Sequence, residues 1–265
     1  MHPAIRWSLA LLIGAVVAGT GYYLWQRQAA EQPPTSPSTS APPPSSTAPV
    51  VQHPIEEAAA ESKEGALPAL ADSDSTLHGA LATVFPKSWE QFFRLDGLVR
   101  RIVATVDALP RKSVPQRVLP LQSVPGSFVT AGQAEGLLIA RENASRYAPY
   151  LRLAEATDTR QLVAVYVRFY PLFQQAYVEL GYPNGYFNDR LIGTIDDMLA
   201  APDAPDSVPL TQPKVLYEYA DPELEALSAG QKIMLRMGAE NEAHAKAKLR
   251  ELRRALTAKS AQPSP

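Results

Sequence analysis

The chain has no cysteine in 265 residues. That excludes disulfides, thiol catalysis, thiolate metal ligands and a lipidated N-terminal cysteine. Histidine is nearly as scarce. His2, His53, His78 and His244 are widely spaced, and no H-E-x-x-H pair or Asp/Asn-rich calcium loop occurs. A His-based metal site is therefore not expected, and neither is a cofactor. A nucleophile elbow of the G-x-S-x-G type, a phosphate-binding glycine loop and a dinucleotide fingerprint are also missing. Residues 67–259 carry 22 Lys and Arg against 22 Asp and Glu. Nucleic-acid binders are usually basic, so no nucleic-acid partner is expected.

Charge is absent in another sense from Trp7 to Trp25, which reads WSLALLIGAVVAGTGYYLW. At ~1.5 Å per residue this run spans roughly 28 Å as a helix, close to one bilayer core. It is longer than the core of a signal peptide and ends in Tyr22, Tyr23 and Trp25, side chains suited to a membrane–water interface. The nearest small pair, Ala29–Ala30, has Gln28 where a cleavage site wants a small residue. The reading is a retained transmembrane anchor within residues 1–28. Arg6 and the α-amino group precede the span and Arg27 follows it, which places the N-terminus in the cytoplasm by about one charge. Small residues four apart, such as Ala10, Gly14 and Ala18, would let two anchors pack, so a homo-oligomer stays open.

Residues 29–66 are rich in Pro, Ser, Thr and Ala and nearly free of bulky apolar side chains. Such a segment cannot bury enough surface to offset its ordering entropy, so it reads as a disordered tether with polyproline character. Residues 67–259 form the head, and 260–265 read as a disordered tail. The head's periodicity is mostly helical. A capping box of Ser88 with Gln91 predicts a helix running to Leu109 and ended by Pro110. Phe128–Val129 and Leu137–Ile139 predict one small β-hairpin. Asp158 is the predicted cap of a long helix that is apolar almost all round and ends at Gly181 in a left-handed turn. Further helices are predicted after Asn188, after Pro213, from Ser228 (with Gln231) to Gly238, and from Ala239 to Ala258. The fold class is thus mainly α: a compact multi-helix head behind an anchor and a tether.

The densest polar cluster is Gly181-Tyr-Pro-Asn-Gly-Tyr-Phe-Asn-Asp-Arg190. Tyr186, Asn188, Asp189 and Arg190 offer an aromatic ring, an amide, a carboxylate and a guanidinium to a ligand. The competing reading makes Asn188 an N-cap and Asp189 a partner of the helix dipole. Asp196 and Asp197 can share one side of the helix with Asp189, and paired carboxylates can serve acid–base work if burial splits their pKa values, although on a surface helix they are usually solvated. Arg146 with Tyr147 could bind an anion, although Glu142 four residues back is the expected ion-pair partner of Arg146. Lys214 and Glu218 form a similar pair if the segment after Pro213 is helical. Charge is also segregated. Residues 189–225 have a net charge of −7 and residues 244–259 one of +5, so the basic last helix is expected to fold onto its own acidic stretch or to meet an acidic partner.

The phrases LVRRIVATVDALPR (98–111), ENASRYAPYL (142–151), YPLFQQAYVELGYPNGYFNDRL (170–191) and QPKVLYEYADPELEALSAGQKIMLRMG (212–238) resemble the bacterial envelope proteins grouped as domain of unknown function 3014. The resemblance implies a single-pass bacterial membrane protein and no particular activity. Together with the anchor and tether it leads to the expectation of an inner-membrane protein with a periplasmic head that acts as an interaction or scaffold module, its partner an envelope protein or polymer. The alternative is a hydrolase-like enzyme acting on an envelope polymer through carboxylates of the 181–197 region. A third arrangement keeps the head in the cytoplasm.

Overall fold

The structure is a computed structural model that describes residues 51–55, 66–133, 136–205 and 207–260, all within the unit spanning 48–265. The expected anchor Trp7–Trp25, most of the expected tether and the expected tail 260–265, save Ser260, lie outside the described residues. Among the described residues no helix is long and apolar enough to cross a membrane. They form eight α-helices: α1 (Asp74–Ala82), α2 (Leu98–Ala108), α3 (Glu142–Ala156), α4 (Thr159–Glu179), α5 (Phe187–Leu199), α6 (Pro222–Glu225), α7 (Ala229–Arg236) and α8 (Ala239–Ser260). Four two-residue strands accompany them: β1 (Thr130–Ala131), β2 (Leu138–Ile139), β3 (Leu210–Thr211) and β4 (Glu218–Tyr219).

Helix α4 holds the middle, as its nearly continuous apolar surface requires. The Asp158 carboxylate accepts from the N–H groups of Arg160 (2.8 Å) and Gln161 (3.0 Å) and starts the helix. Gly181, at φ +116°, lets the chain leave it. Phe169, Tyr170, Leu172, Phe173, Ala176 and Tyr177 are buried along its length, and α1, α2, α5 and α8 pack around it. The main core joins these residues to Leu77, Leu81, Trp89, Leu98, Val99, Val103 and Phe187.

The single helix expected from Ser88 to Leu109 is two elements. Ser88 adopts φ +65° and makes no side-chain cap; Trp89–Phe92 is one 3-10 turn. Trp89 is buried between Phe85, stacked at 5.1 Å, and Phe93, edge-on at 5.3 Å. Helix α2 then starts afresh at Leu98, after Gly97 at φ +60°. Its cap comes from another helix: the Asp74 carboxylate accepts from Gly97 N (2.7 Å) and Leu98 N (3.0 Å). The apolar period runs across both elements because both face the same core, and so it conceals the break.

The first hairpin forms two residues further along its leading strand than expected, with Thr130 opposite Ile139 and Ala131 opposite Leu138. The helix expected after Pro213 is a second hairpin, Leu210 opposite Tyr219 and Thr211 opposite Glu218. Glu218 is exposed and Tyr219 buried, the two-residue alternation of a strand. Lys214 lies in the loop, so the four-apart pair Lys214–Glu218 is not formed. The hairpins meet through Ile139 N to Val208 O (3.0 Å) and Leu210 N to Leu137 O (2.8 Å). Val208, Leu210, Tyr219 and Leu235 form a small core of their own.

Helix α7 begins with the expected capping box of Ser228 and Gln231 and is followed by Gly238 at φ +81°. Helix α8 returns along the acidic stretch. Arg253 grips Asp196 through Nε (2.5 Å) and Nη2 (3.0 Å). Lys246 lies 2.8 Å from Asp203 and from Glu242 and donates to the carbonyl of Ala201. The segregated charges thus meet inside one head.

Candidate functional site

The turn between α4 and α5 is built on aromatic packing. Tyr177 and Tyr182 stack at 4.5 Å. A Cβ at Gly185 would come within 2.9 Å of the Tyr177 ring, so only glycine fits there without a shift. Gln174, five residues before the end of α4, spans the gap. Its Oε1 accepts from Phe187 N (2.9 Å) and from the Tyr170 hydroxyl (3.1 Å), and its Nε2 donates to Gly185 O (2.7 Å). Gln174 therefore satisfies a first-turn N–H of α5, the task expected of Asn188.

Asn188 is not the N-cap. Helix α5 starts at Phe187 after Tyr186, which puts Asn188 in the first turn, fully buried. Its Oδ1 accepts from the Tyr166 hydroxyl (3.2 Å), and its Nδ2 donates to the carbonyl of His53 (2.9 Å). Burial holds the Tyr166 phenol well above its ordinary pKa and pushes Tyr170 up to about 12. Tyr166 is therefore a hydroxyl donor at neutral pH, which orients the Asn188 amide with its NH2 toward His53. Asp189, the next residue, accepts from Gln52 N (3.1 Å) and His53 N (2.8 Å). Residues 51–55, assigned by composition to the tether, thus lie against the head.

Arg190 turns the other way. Its Nη2 reaches the Asp107 carbonyl (2.5 Å) and lies 3.2 Å from the Asp107 carboxylate. Arg111 takes the same buried carboxylate at 2.5 Å and the Tyr182 hydroxyl at 2.6 Å. This group joins α2 to α5. Thr194 adds a bond to Val106 O (2.9 Å).

The other sequence-derived candidates have separate occupations. Arg146 donates to the carbonyls of Pro125 and Gly126, both at 2.8 Å, and to Asn143 Oδ1 at 3.1 Å, and so fastens the 124–126 loop rather than pairing with Glu142. Tyr147 packs against Ala201, Met234 and Met237, and burial raises its phenol pKa. Tyr186 is exposed at the helix start, and Lys214 and Glu218 are exposed on the second hairpin. The three carboxylates considered for acid–base work are divided as well: Asp189 takes the 52–53 amides, Asp196 takes Arg253, and Asp197 accepts from the Ser228 hydroxyl at 2.7 Å. Among the described residues no group of three His, Cys, Asp or Glu side chains is placed to hold a metal ion.

The arrangement at the start of α5 can therefore grip a peptide backbone, with one carboxylate for two N–H groups and one amide for a carbonyl. Sequence reasoning missed Gln52, His53, Tyr166 and Gln174. One signal was available for the first two, since Val50, Val51 and Ile55 are the only bulky aliphatic residues between 31 and 65. A family model described as "Protein of unknown function (DUF3014)" matches residues 98–253, more than half of the chain. No curated protein and no solved structure matches the chain.

Proposed function

We propose, from the premise that this chain belongs to that family of unknown function, that it is a single-pass bacterial inner-membrane protein whose helical head serves as an interaction module in the periplasm. The observation that supports the interaction module is the loop of the second hairpin; the membrane and periplasmic placement rests on the run Trp7–Trp25 and its flanking charges. Val215 is 87% exposed and its neighbour Leu216 76%, with Tyr217 also in solvent and resting on Phe128 at 5.8 Å between ring centroids. Val129, next to Phe128, is exposed too. Adjacent bulky apolar side chains on a projecting loop fit a docking surface better than a catalytic one. Tyr219 beneath them is buried and anchored by its hydroxyl to Lys232 O (3.2 Å), so the loop stands on a firm base. The partner it suits is an envelope protein or polymer presenting an apolar surface.

The test is photo-crosslinking in cells at native expression, with the crosslinker at residue 216 and a control at the exposed Glu240. A defined adduct from 216, absent from 240 and lost in the Val215→Ser variant, supports the reading. No specific adduct from 216 refutes it. A reporter fused at Pro265 that is active only in the cytoplasm refutes the periplasmic placement.

A further inference from the structure

We propose that the start of α5 is a binding site for a short bent peptide segment, and that its ligand is the chain's own Val51–Ile55. The three polar bonds all go to backbone atoms of that segment, across more than 130 residues of sequence: Gln52 N and His53 N to the Asp189 carboxylate, and Asn188 Nδ2 to His53 O. Two consecutive N–H groups reach one carboxylate because the chain bends at Gln52 and His53. Burial alternates along the segment. Val51, His53 and Ile55 are half-buried, Gln52 and Pro54 exposed, and Ile55 packs against the main core. This division is that of a peptide-recognition site, in which backbone bonds hold the segment and alternate side chains select it.

Three features indicate a built cradle rather than a passing contact. Asn188 is fully buried, yet its NH2 faces the segment, an orientation set from behind by Tyr166. Asp189 sits in the first turn of α5, where a carboxylate is favoured by the helix dipole, and it directs both oxygens outward to the two amides. Pro54 has no N–H to satisfy and a fixed φ, which reduces the entropy lost when the segment docks. The ligand class is accordingly apolar–x–His–Pro–apolar. Three hydrogen bonds and the packing of Ile55 are few contacts to offset the entropy of ordering five residues, so the segment is held in exchange with a released state.

The test uses the full chain in detergent. Hydrogen exchange should find the amides of Gln52 and His53 protected in the wild type, and Asp189→Ala should speed their exchange at least about tenfold while α4 amides exchange as before. A labelled peptide of residues 48–58 should bind a full chain whose residues 51–55 are replaced by Gly and Ser, and should not bind when Asp189→Ala is added. A wild-type dimer that this peptide dissociates into monomers overturns the assignment of the chain's own segment, because a second copy then fills the site. Unprotected amides at 52 and 53 in the wild type overturn the proposal, as does failure of the vacated, folded chain to take the peptide. Neither failure bears on crosslinking at residue 216, so the two proposals fail separately.

Discussion

Replacing Lys246 with Met should be among the most damaging single changes to the head. Its side chain is 7% exposed and that of Glu242, one turn earlier on α8, is 3% exposed. Lys246 bridges Glu242, the Ala201 carbonyl and Asp203, each at 2.8 Å, while Glu242 accepts from Ala204 N at 2.6 Å. The substitution leaves the Glu242 carboxylate buried without its counter-charge, a loss of about 3–5 kcal/mol. Asp203, 98% exposed, adds little to that figure. For a domain of this size each kcal/mol lowers the melting temperature by about 2–4 °C, so a fall of roughly 6–20 °C is expected. Thermal melts of the full chain in detergent, followed by circular dichroism at pH 7, measure it. Glu242→Gln and the double variant complete a cycle, in which the double change should cost less than the two singles together by at least about 1 kcal/mol. The sign with pH follows from the lysine. Burial pushes its pKa down, but the bonds to Asp203 and Glu242 outweigh burial and the net shift is upward. Its contribution is thus complete below the unfolded value near ~10.4 and lost as pH rises through the higher folded value. A fall of less than about 2 °C, or strict additivity in the cycle, would refute a desolvated pair.

Other expectations follow from single bonds and torsions. Asp74→Ala removes the cap of α2 and should cost about 1 kcal/mol in urea denaturation. Gly97→Ala should cost a similar ~1 kcal/mol for its left-handed backbone alone, since a Cβ there meets nothing within 4 Å; a cost near zero would mean the turn relaxes. The bonds from Gln161 and Arg160 hold the Asp158 carboxyl below its usual range. Its stabilisation is therefore present above the unfolded value near ~3.9 and lost as pH falls through the folded value, and melts of Asp158→Asn should depend less on acid pH than those of the wild type. Val215→Ser and Leu216→Ser should leave stability within about 0.5 kcal/mol by calorimetry, because neither side chain is buried.

What was legible in the chain was what depends on neighbours within a turn. Asp158 caps α4 through N–H groups two and three residues on, and Ser228 with Gln231 forms its box within one turn. Gly181 and Gly238 end helices by their own backbone torsions. The apolar girth of α4 announced its central place for the same reason, since a helix without a polar face must be surrounded. The charge pattern was legible in kind, acid against base, while the choice of Asp196 for Arg253 and Asp203 for Lys246 needed the fold.

The site was misread where the decisive partner came from far along the chain. By local rules Asn188 is a good N-cap, but Gln174 meets that need from α4 and frees Asn188 for His53. Asp189 was rightly placed in a first turn, yet its partners are amides more than 130 residues away. The break at Gly97 depends on Asp74 from another helix, and the second hairpin depends on Leu210 as a pairing partner for Tyr219. By itself the sequence determined the anchor-like run, the proline-rich stretch and the helical character of the head, because composition and short-range periodicity suffice for those. Only the tertiary structure decided that the polar cluster at 186–190 grips the chain's own backbone, because a hydrogen bond is set by distance and direction in space and the sequence interval between its partners leaves no local trace.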